Sequence, residues 1–464
     1  MSNYLLPPDE LKQFYDVHDA NSIVNHAKKL LHDSLRSHLS KEDLRLISDG
    51  KGDFGNLLES AYFFVKNNNE SRPDIPESKV EIKSGQTKVG KRGKEVVKER
   101  LKISMIDYMN GFGSNCLEDS ILWPKLEKIV LLLFKRDSSV LRVDQECVYA
   151  DLLLWTEDDL KQMSEDWLLI KNTVLSGRAK ELSEGKTWYL GACTAGASGS
   201  YKSAPGDVNA KTRAFSLKNS YLNYKLGYTS KVKGPKVIIK PTSGQTLDEF
   251  ILTNMKDFFN RPLDQVASMI NRSELSESFA KNKKSLVARA LLEEITGKHT
   301  ANISSNFLQF RQAGVIEKAV TLEENGNLKE SVSFPAFKWE ELSDEEVWED
   351  SELYSILTSK FFFTVFKKTS STMPILIGSF FWSMPNNDLE LMRKLWEDTK
   401  QKIKEGNYNH FIKKSEHEIG HIRPHAQKAL DTYPTPQGGK ETKKSFWLNN
   451  DYVEKVVKQT LKLA

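Results

Sequence analysis

The feature that most limits how this chain can fold is an unbroken apolar run between charged ends, Lys128-Ile-Val-Leu-Leu-Leu-Phe-Lys-Arg136. Apolar residues without polar alternation suit a strand buried on both faces, which helices must then cover. The run is too short to cross a bilayer, as is Ile375–Ile377 with Phe380–Trp382 after a Gly-Ser break. A second run, Lys360-Phe-Phe-Phe-Thr-Val-Phe-Lys-Lys368, resembles the first in residue class. The segments downstream of the two runs correspond as well. After the first come a strand over Cys147–Trp155, a polar helix over Leu160–Leu182, Glu184-Gly185 and the basic-aromatic segment Arg213-Ala-Phe-Ser-Leu-Lys218. After the second come Ile375–Trp382, a polar helix through Trp396 and Lys402, Glu405-Gly406 and Lys443-Lys-Ser-Phe-Trp-Leu448. This order predicts two tandem α/β domains, each a mixed sheet flanked by helices, at 1–232 and 243–464. Between them, Ser230–Thr246 gathers Lys, Gly, Pro and Ser as linkers do.

With 464 residues, 39% of them hydrophobic, the chain can fill two cores. Lys plus Arg is 67 against 63 acidic residues, so any surface for nucleic acid has to be local. Cys116, Cys147 and Cys193 form no disulfide framework and fit a reduced cytosol. Asp9, Glu10, Asp16 and Asp19 make the first thirty residues unlike a secretory leader. The expectation is therefore a cytoplasmic protein with no membrane partner. Asp19 is placed to cap a helix with Ile23, Val24, Ala27, Leu30, Leu31 and Leu35 on one face, and Ser40–Asp43 to cap another before Leu44 and Ile47.

Next comes Lys51-Gly-Asp-Phe-Gly-Asn-Leu-Leu-Glu59, which predicts a glycine-started helix with Glu59 pointing the same way as Phe63. Val80-Glu-Ile-Lys83 alternates apolar and polar residues, so Glu81 and Lys83 share one face of a strand. Asp74 enters just upstream from a Pro-bounded loop. Phosphodiester hydrolysis needs converging carboxylates to hold Mg2+, cover for developing charge, and a lysine to orient the attacking water. Asp74, Glu81 and Lys83 are that set, with Glu59 as a fourth member. Glu-x-Lys also occurs at Glu10–Lys12, Glu77–Lys79 and Glu184–Lys186, so spacing alone favours an ordinary surface ion pair over a metal site.

The combination of motifs decides between them. Lys51-Gly-x-x-Gly-x-Leu-Leu-Glu59 followed by Asp74-x6-Glu81-x-Lys83 resembles the active-site signature of MutH, the mismatch-repair endonuclease that nicks at GATC. That family has the PD-(D/E)xK nuclease fold. The resemblance extends to its longer type II restriction relatives, which cut both strands at GATC and carry a second, degenerate MutH-like half. Pro73-Asp74, Lys98-Glu-Arg-Leu101 with Asp107-Tyr-Met109, and Tyr189–Thr194 with Arg213–Ser216 all look like that branch. The resemblance implies Mg2+ at Asp74 and Glu81, catalysis by Glu59, Asp74, Glu81 and Lys83, and base contact from the loop of Lys51 and Gly52. In the second half, Gly420-His-Ile-Arg-Pro-His-Ala426 is similar to the Arg-Pro loop with which MutH reads its site, through Arg423 and Pro424. Lys284–Glu293 looks like a worn copy of the helix ending in Glu59. Gly314-Val-Ile-Glu-Lys318 stands where the family has Gly-Val-Glu-x-Lys, with Ile316 at the ligand position and Glu317 turned to the opposite face. This half is therefore expected to bind DNA without cutting it.

Lys88, Lys91, Arg92, Lys94, Lys98, Arg100 and Lys102 come just after the metal strand and are expected to meet phosphates, although charge runs are more often solvated surface. Thr194, Arg213 and Lys218 in the first half, and Lys443 and Lys444 in the second, complete the expected DNA contacts. Gly191–Tyr201 lacks the Gly-Lys-Ser/Thr ending of a P-loop, so no nucleotide cofactor is expected. Gly420 and Pro424 interrupt any helical zinc face of His417, His421 and His425. The expected partner is double-stranded DNA, with a dimer formed on it. Two rivals stay open on sequence grounds: a strand-nicking mismatch-repair endonuclease, and a sequence-specific DNA binder without catalysis.

Overall fold

The computed structural model describes residues 3–43, 53–67, 71–90, 93–196, 199–206, 208–229, 236–242, 244–275, 284–299, 306–370, 373–425 and 431–463. The chain divides into two compact units, Met1–Leu182 with Trp188–Ser230, and Ser183–Thr187 with Lys231–Ala464.

The first unit contains β1 (Glu81–Val89), β2 (Glu95–Val97), β3 (Leu101–Met105), β4 (Ile129–Lys135), β5 (Cys147–Leu153), β6 (Leu190–Thr194), β7 (Tyr201–Ala204), β8 (Val208–Lys211) and β9 (Arg213–Leu217). The main sheet runs β2-β1-β4-β5, with β1 parallel to β4 and the other pairs antiparallel. Ile129–Phe134 is buried throughout, as its unbroken apolar run requires. The helix Ala20–Lys28 packs Ile23, Val24 and Ala27 into the same core as Val130, Leu132 and Phe134. Its N-terminus is capped by Asp19, which accepts the Asn21 N–H at 2.9 Å.

A second sheet, β3-β9-β6, and the hairpin β7-β8 complete the unit. The helix Glu157–Leu175 stops seven residues short of the predicted Leu182, and a 3-10 turn, Ala179–Glu181, comes after it. Asp166 ties this helix to β6. Its buried carboxylate accepts the backbone N–H groups of Trp188, Tyr189 and Leu190 at 2.8, 2.6 and 2.9 Å.

The second unit contains β10 (Arg261–Pro262), β11 (Ile316–Leu322), β12 (Val332–Ser333), β13 (Phe361–Lys367), β14 (Ile375–Trp382), β15 (Gly420–Pro424), β16 (Thr432–Pro434), β17 (Lys440–Thr442) and β18 (Lys444–Leu448). Its main sheet runs β10-β14-β13-β11, with β11 parallel to β13 and β13 antiparallel to β14. A sheet β12-β18-β15 and a hairpin β16-β17 repeat the sequence of pairings found in the first unit. The helix Asn386–Lys404, 19 residues long, stands in chain order where Glu157–Leu175, also 19, stands in the first. Among the described residues, no helix is long and apolar enough to cross a membrane.

Removing the Asp166 carboxylate leaves three buried amides without their acceptor. Asp166→Ala should lower unfolding stability by about 3 kcal/mol, read from the urea midpoint, and an unchanged midpoint would show that those amides find other partners.

Candidate active site

The Pro-bounded loop delivers Asp74 to β1 by a short antiparallel bridge. Ile75 N–H bonds Val80 O at 2.9 Å, and Val80 N–H returns to Ile75 O at 3.0 Å. Lys79 turns the corner at φ 59°. Ile75, Val80 and Ile82 go into the core, which leaves Asp74 and Glu81 side by side. The Asp74 carboxylate accepts the Ile82 N–H at 2.8 Å, and the Asp74 N–H donates to Glu81 Oε2 at 3.3 Å. Glu81, fully buried, is fixed at the start of the parallel pairing by its own N–H to Lys128 O at 2.9 Å. Lys83 donates to Glu81 Oε1, and Lys125 Nζ lies 3.4 Å from the same oxygen.

Lys125 escaped the reading of the sequence. It comes from the four-residue helix Trp123–Leu126, 44 positions from Glu81, and no local spacing marks it.

Glu59 arrives differently from expectation. The helix Asp53–Leu57 passes directly into a π-turn, Leu58–Tyr62, with Phe63 N–H bonding Leu58 O five residues back at 3.1 Å. A π-turn shifts the phase of the helix, so residues four apart no longer share a direction. Phe63 is therefore buried in the core while Glu59 faces the carboxylate cluster, and the expectation that the two point alike is corrected.

Burial, then the charge of Asp74, raises the Glu59 pKa to about 7. Burial, then Glu81, raises Asp74 to about 6. At Lys83 burial opposes the charged form, but Glu81, Asp74 and Glu59 outweigh it and hold the ammonium above its ordinary pKa. The arrangement is thus an ammonium held among acids that repel one another. Two adjacent buried carboxylates supply the oxygen donors a hard divalent cation takes, and a cation would relieve their repulsion. Among the described residues no cluster of three or more Asp, Glu, His or Cys is grouped to hold a metal.

The residues expected to meet DNA divide by their surroundings. Lys88 on β1 and Arg423 with Pro424 on β15 are exposed. Lys98 is drawn in, to Gln86 at 3.2 Å and Glu99 at 3.1 Å, while Arg100 and Thr194 are half-buried. Arg213 is buried and donates to Ala192 O at 2.7 Å, and Lys218 is buried too. Lys443 pairs with Asp431, and Lys444 donates to Tyr408 O. Lys51, Gly52, Lys91 and Arg92 lie outside the described residues. In the second unit His421 faces Asn449 Oδ1 at 2.6 Å and His425 faces Ser445 Oγ at 2.8 Å, each on a separate partner.

The family model for the DNA mismatch repair enzyme MutH matches residues 63–166, the stretch that contains Asp74, Glu81, Lys83 and Lys125. The type II restriction enzyme Sau3AI of Staphylococcus aureus is 30% identical over 498 aligned positions, covering 94% of this chain and 99% of that enzyme. The chain belongs to the MutH-related type II restriction endonucleases. Its substrate is DNA, and type II restriction endonucleases generally work with a divalent metal.

Both raised acids bind a proton more readily in the folded than in the unfolded protein. Folding therefore takes up protons between about pH 4 and about pH 7, and this contribution to stability is lost as pH rises through the folded pKa values. Without divalent ions, the thermal midpoint of Asp74→Asn relative to the unsubstituted enzyme should rise from about pH 5 to about pH 8. A difference that stays constant with pH would contradict the raised pKa of Asp74.

Proposed function

We propose that the first unit is the cutting centre, that it cleaves both strands of DNA at GATC, and that the ion is magnesium. The observation that carries the reading is the meeting of Asp74, Glu81 and Lys83 at the start of β1. Magnesium would be held by the carboxylates of Asp74 and Glu81, and when bound it would offset the negative charge that builds on the phosphate oxygens. Lys83 stays protonated among its acids, so it orients the attacking water and covers developing charge as a donor and cannot itself take the proton. Glu59, with a pKa of about 7, suits that acceptor role at neutral pH. Lys125 adds a second cation against Glu81 and helps to orient that carboxylate.

GATC comes from the likeness to the restriction branch of the family. The exposed Lys88 and Arg423 would contact phosphates and bases directly, while Arg213, Lys218 and Lys444 would hold the strands that carry the reading loops. The loop of Lys51 and Gly52, with Lys91 and Arg92, would complete the contacts in the first unit, together with Lys98, Arg100 and Thr194. The two units, as domains 1–232 and 243–464, would be copies of one restriction-endonuclease-like fold. The second would bind a further copy of the site and favour a dimer on DNA. Support comes from the position of Ile316, which pairs with Phe361 at the head of β13 as Glu81 pairs with Ile129 at the head of β4. Glu317 is taken by Arg289 at 2.7 Å, and Lys318 donates to Ser333 O at 2.6 Å, so no acid pair faces a phosphate there. Action in the cytosol without a nucleotide cofactor belongs to the same reading.

Incubating unmethylated plasmid with the enzyme, with magnesium or with EDTA, and sequencing the product ends tests it. Magnesium-dependent fragments ending at GATC are expected, and Asp74→Ala and Lys83→Ala should each slow cutting by at least about a hundredfold. Ends at another sequence would reject GATC, and undiminished cutting by Asp74→Ala would reject the site.

A further inference from the structure

We infer that Asn3 is a positioning residue for the cutting centre, tying the segment that carries Glu59 to the segment that carries Asp74. The inference rests on the roles proposed above for those two acids. Asn3 is 8% exposed and lies 71 positions from Asp74. Its Nδ2 donates to the Asp74 carbonyl at 2.5 Å, and its Oδ1 accepts from the Arg72 guanidinium at 3.2 Å. Its own carbonyl accepts the Lys66 N–H at 2.9 Å, at the end of the segment that began with Glu59. One residue thus holds both acid-bearing segments from the same point.

The segment that carries Glu59 leans on its surroundings. After the π-turn the chain passes through Phe64 at φ 57°, a left-handed conformation that a bulky side chain keeps only where its surroundings impose it. The surroundings are residues 4–26. Leu5 N–H donates to Phe64 O at 2.7 Å, and Tyr15 hydroxyl donates to Phe63 O. His26 Nε2 meets Tyr62 O at 3.0 Å, which makes it the donor, and the Tyr62 hydroxyl returns to His26 O at 2.8 Å. Tyr4 bridges Val65 and donates to Glu77 beyond Asp74. In this clasp Asn3 is the member that grips the Asp74 peptide. The Asp74 carboxylate keeps its place beside Glu81 only while its backbone stays put, since Ile82 N–H and the Asp74 N–H fix the two acids against each other. The amide does what a carboxylate in its place could not, donating to a carbonyl while it accepts from a guanidinium.

The isosteric Asn3→Asp keeps the volume and an acceptor for Arg72 but loses the donor to Asp74. In the full chain it should cut about tenfold slower at saturating DNA, with KM for DNA within about twofold. Exchange of the Ile82 amide, which is bonded to the Asp74 carboxylate, should become at least about tenfold faster by hydrogen-exchange mass spectrometry, while the thermal midpoint stays within about 3 °C. The Ile82 readout needs neither metal nor cutting, so it separates this inference from the assignment of Asp74 to catalysis, which Asp74→Ala tests. Unchanged Ile82 exchange, unchanged cutting, or equal losses of rate, DNA affinity and thermal midpoint would each overturn the role of Asn3. Should Asn3→Asp not fold, Asn3→Ala is read by the same measurements.

Discussion

Everything in the first unit depends on keeping two carboxylates and an ammonium together out of water at the head of one strand. Glu81 is fully buried, and burying a charge is costly unless opposite charge and hydrogen bonds compensate. Compensation here comes from Lys83, Lys125 and the Asp74 amide, each delivered by a different device. Parallel pairing of β1 with β4 sets where Glu81 begins, the bridged loop sets Asp74, a short helix sets Lys125, and a π-turn sets Glu59. Burial first, and then the charge left uncompensated, raise the pKa values of Asp74 and Glu59. A divalent cation placed there would relieve that residual repulsion.

The second unit also has a parallel strand pair, but the chemistry at its head is different. Ile316 takes the register position of Glu81, so no buried carboxylate has to be stabilised there. Glu317 and Glu293 are neutralised by Arg289 and Arg272 at 2.7 and 2.9 Å. Lys318, without an acid to hold its proton, has its pKa lowered by burial to about 8, opposite in direction to Lys83. The contrast is electrostatic: one strand head is an acid cluster around a cation, the other a lysine against a carbonyl.

The elements most legible in the sequence were those whose local pattern matches their burial. The runs at Ile129–Phe134 and Phe361–Phe366 announced central strands, and Val80–Lys83 announced a strand with Glu81 and Lys83 on one face. Asp19 announced a helix start. Features set by tertiary contact were not legible. Lys125 is chosen by distance in space, and the π-turn at Leu58–Tyr62 needs Tyr15, Leu5 and His26 to hold it, none of them nearby in sequence. The basic residues show the same limit, because composition makes Lys88 and Arg213 look equivalent although one is exposed and the other donates inside the fold.

The most direct test of this account is a structure of the enzyme with a GATC duplex and calcium, which can occupy an oxygen site without supporting rapid cutting. The account predicts calcium on Asp74 and Glu81 with the scissile phosphate beside Lys83, and no cation at Ile316–Lys318. A cation bound in the second unit, or a phosphate seated away from Asp74, would contradict it.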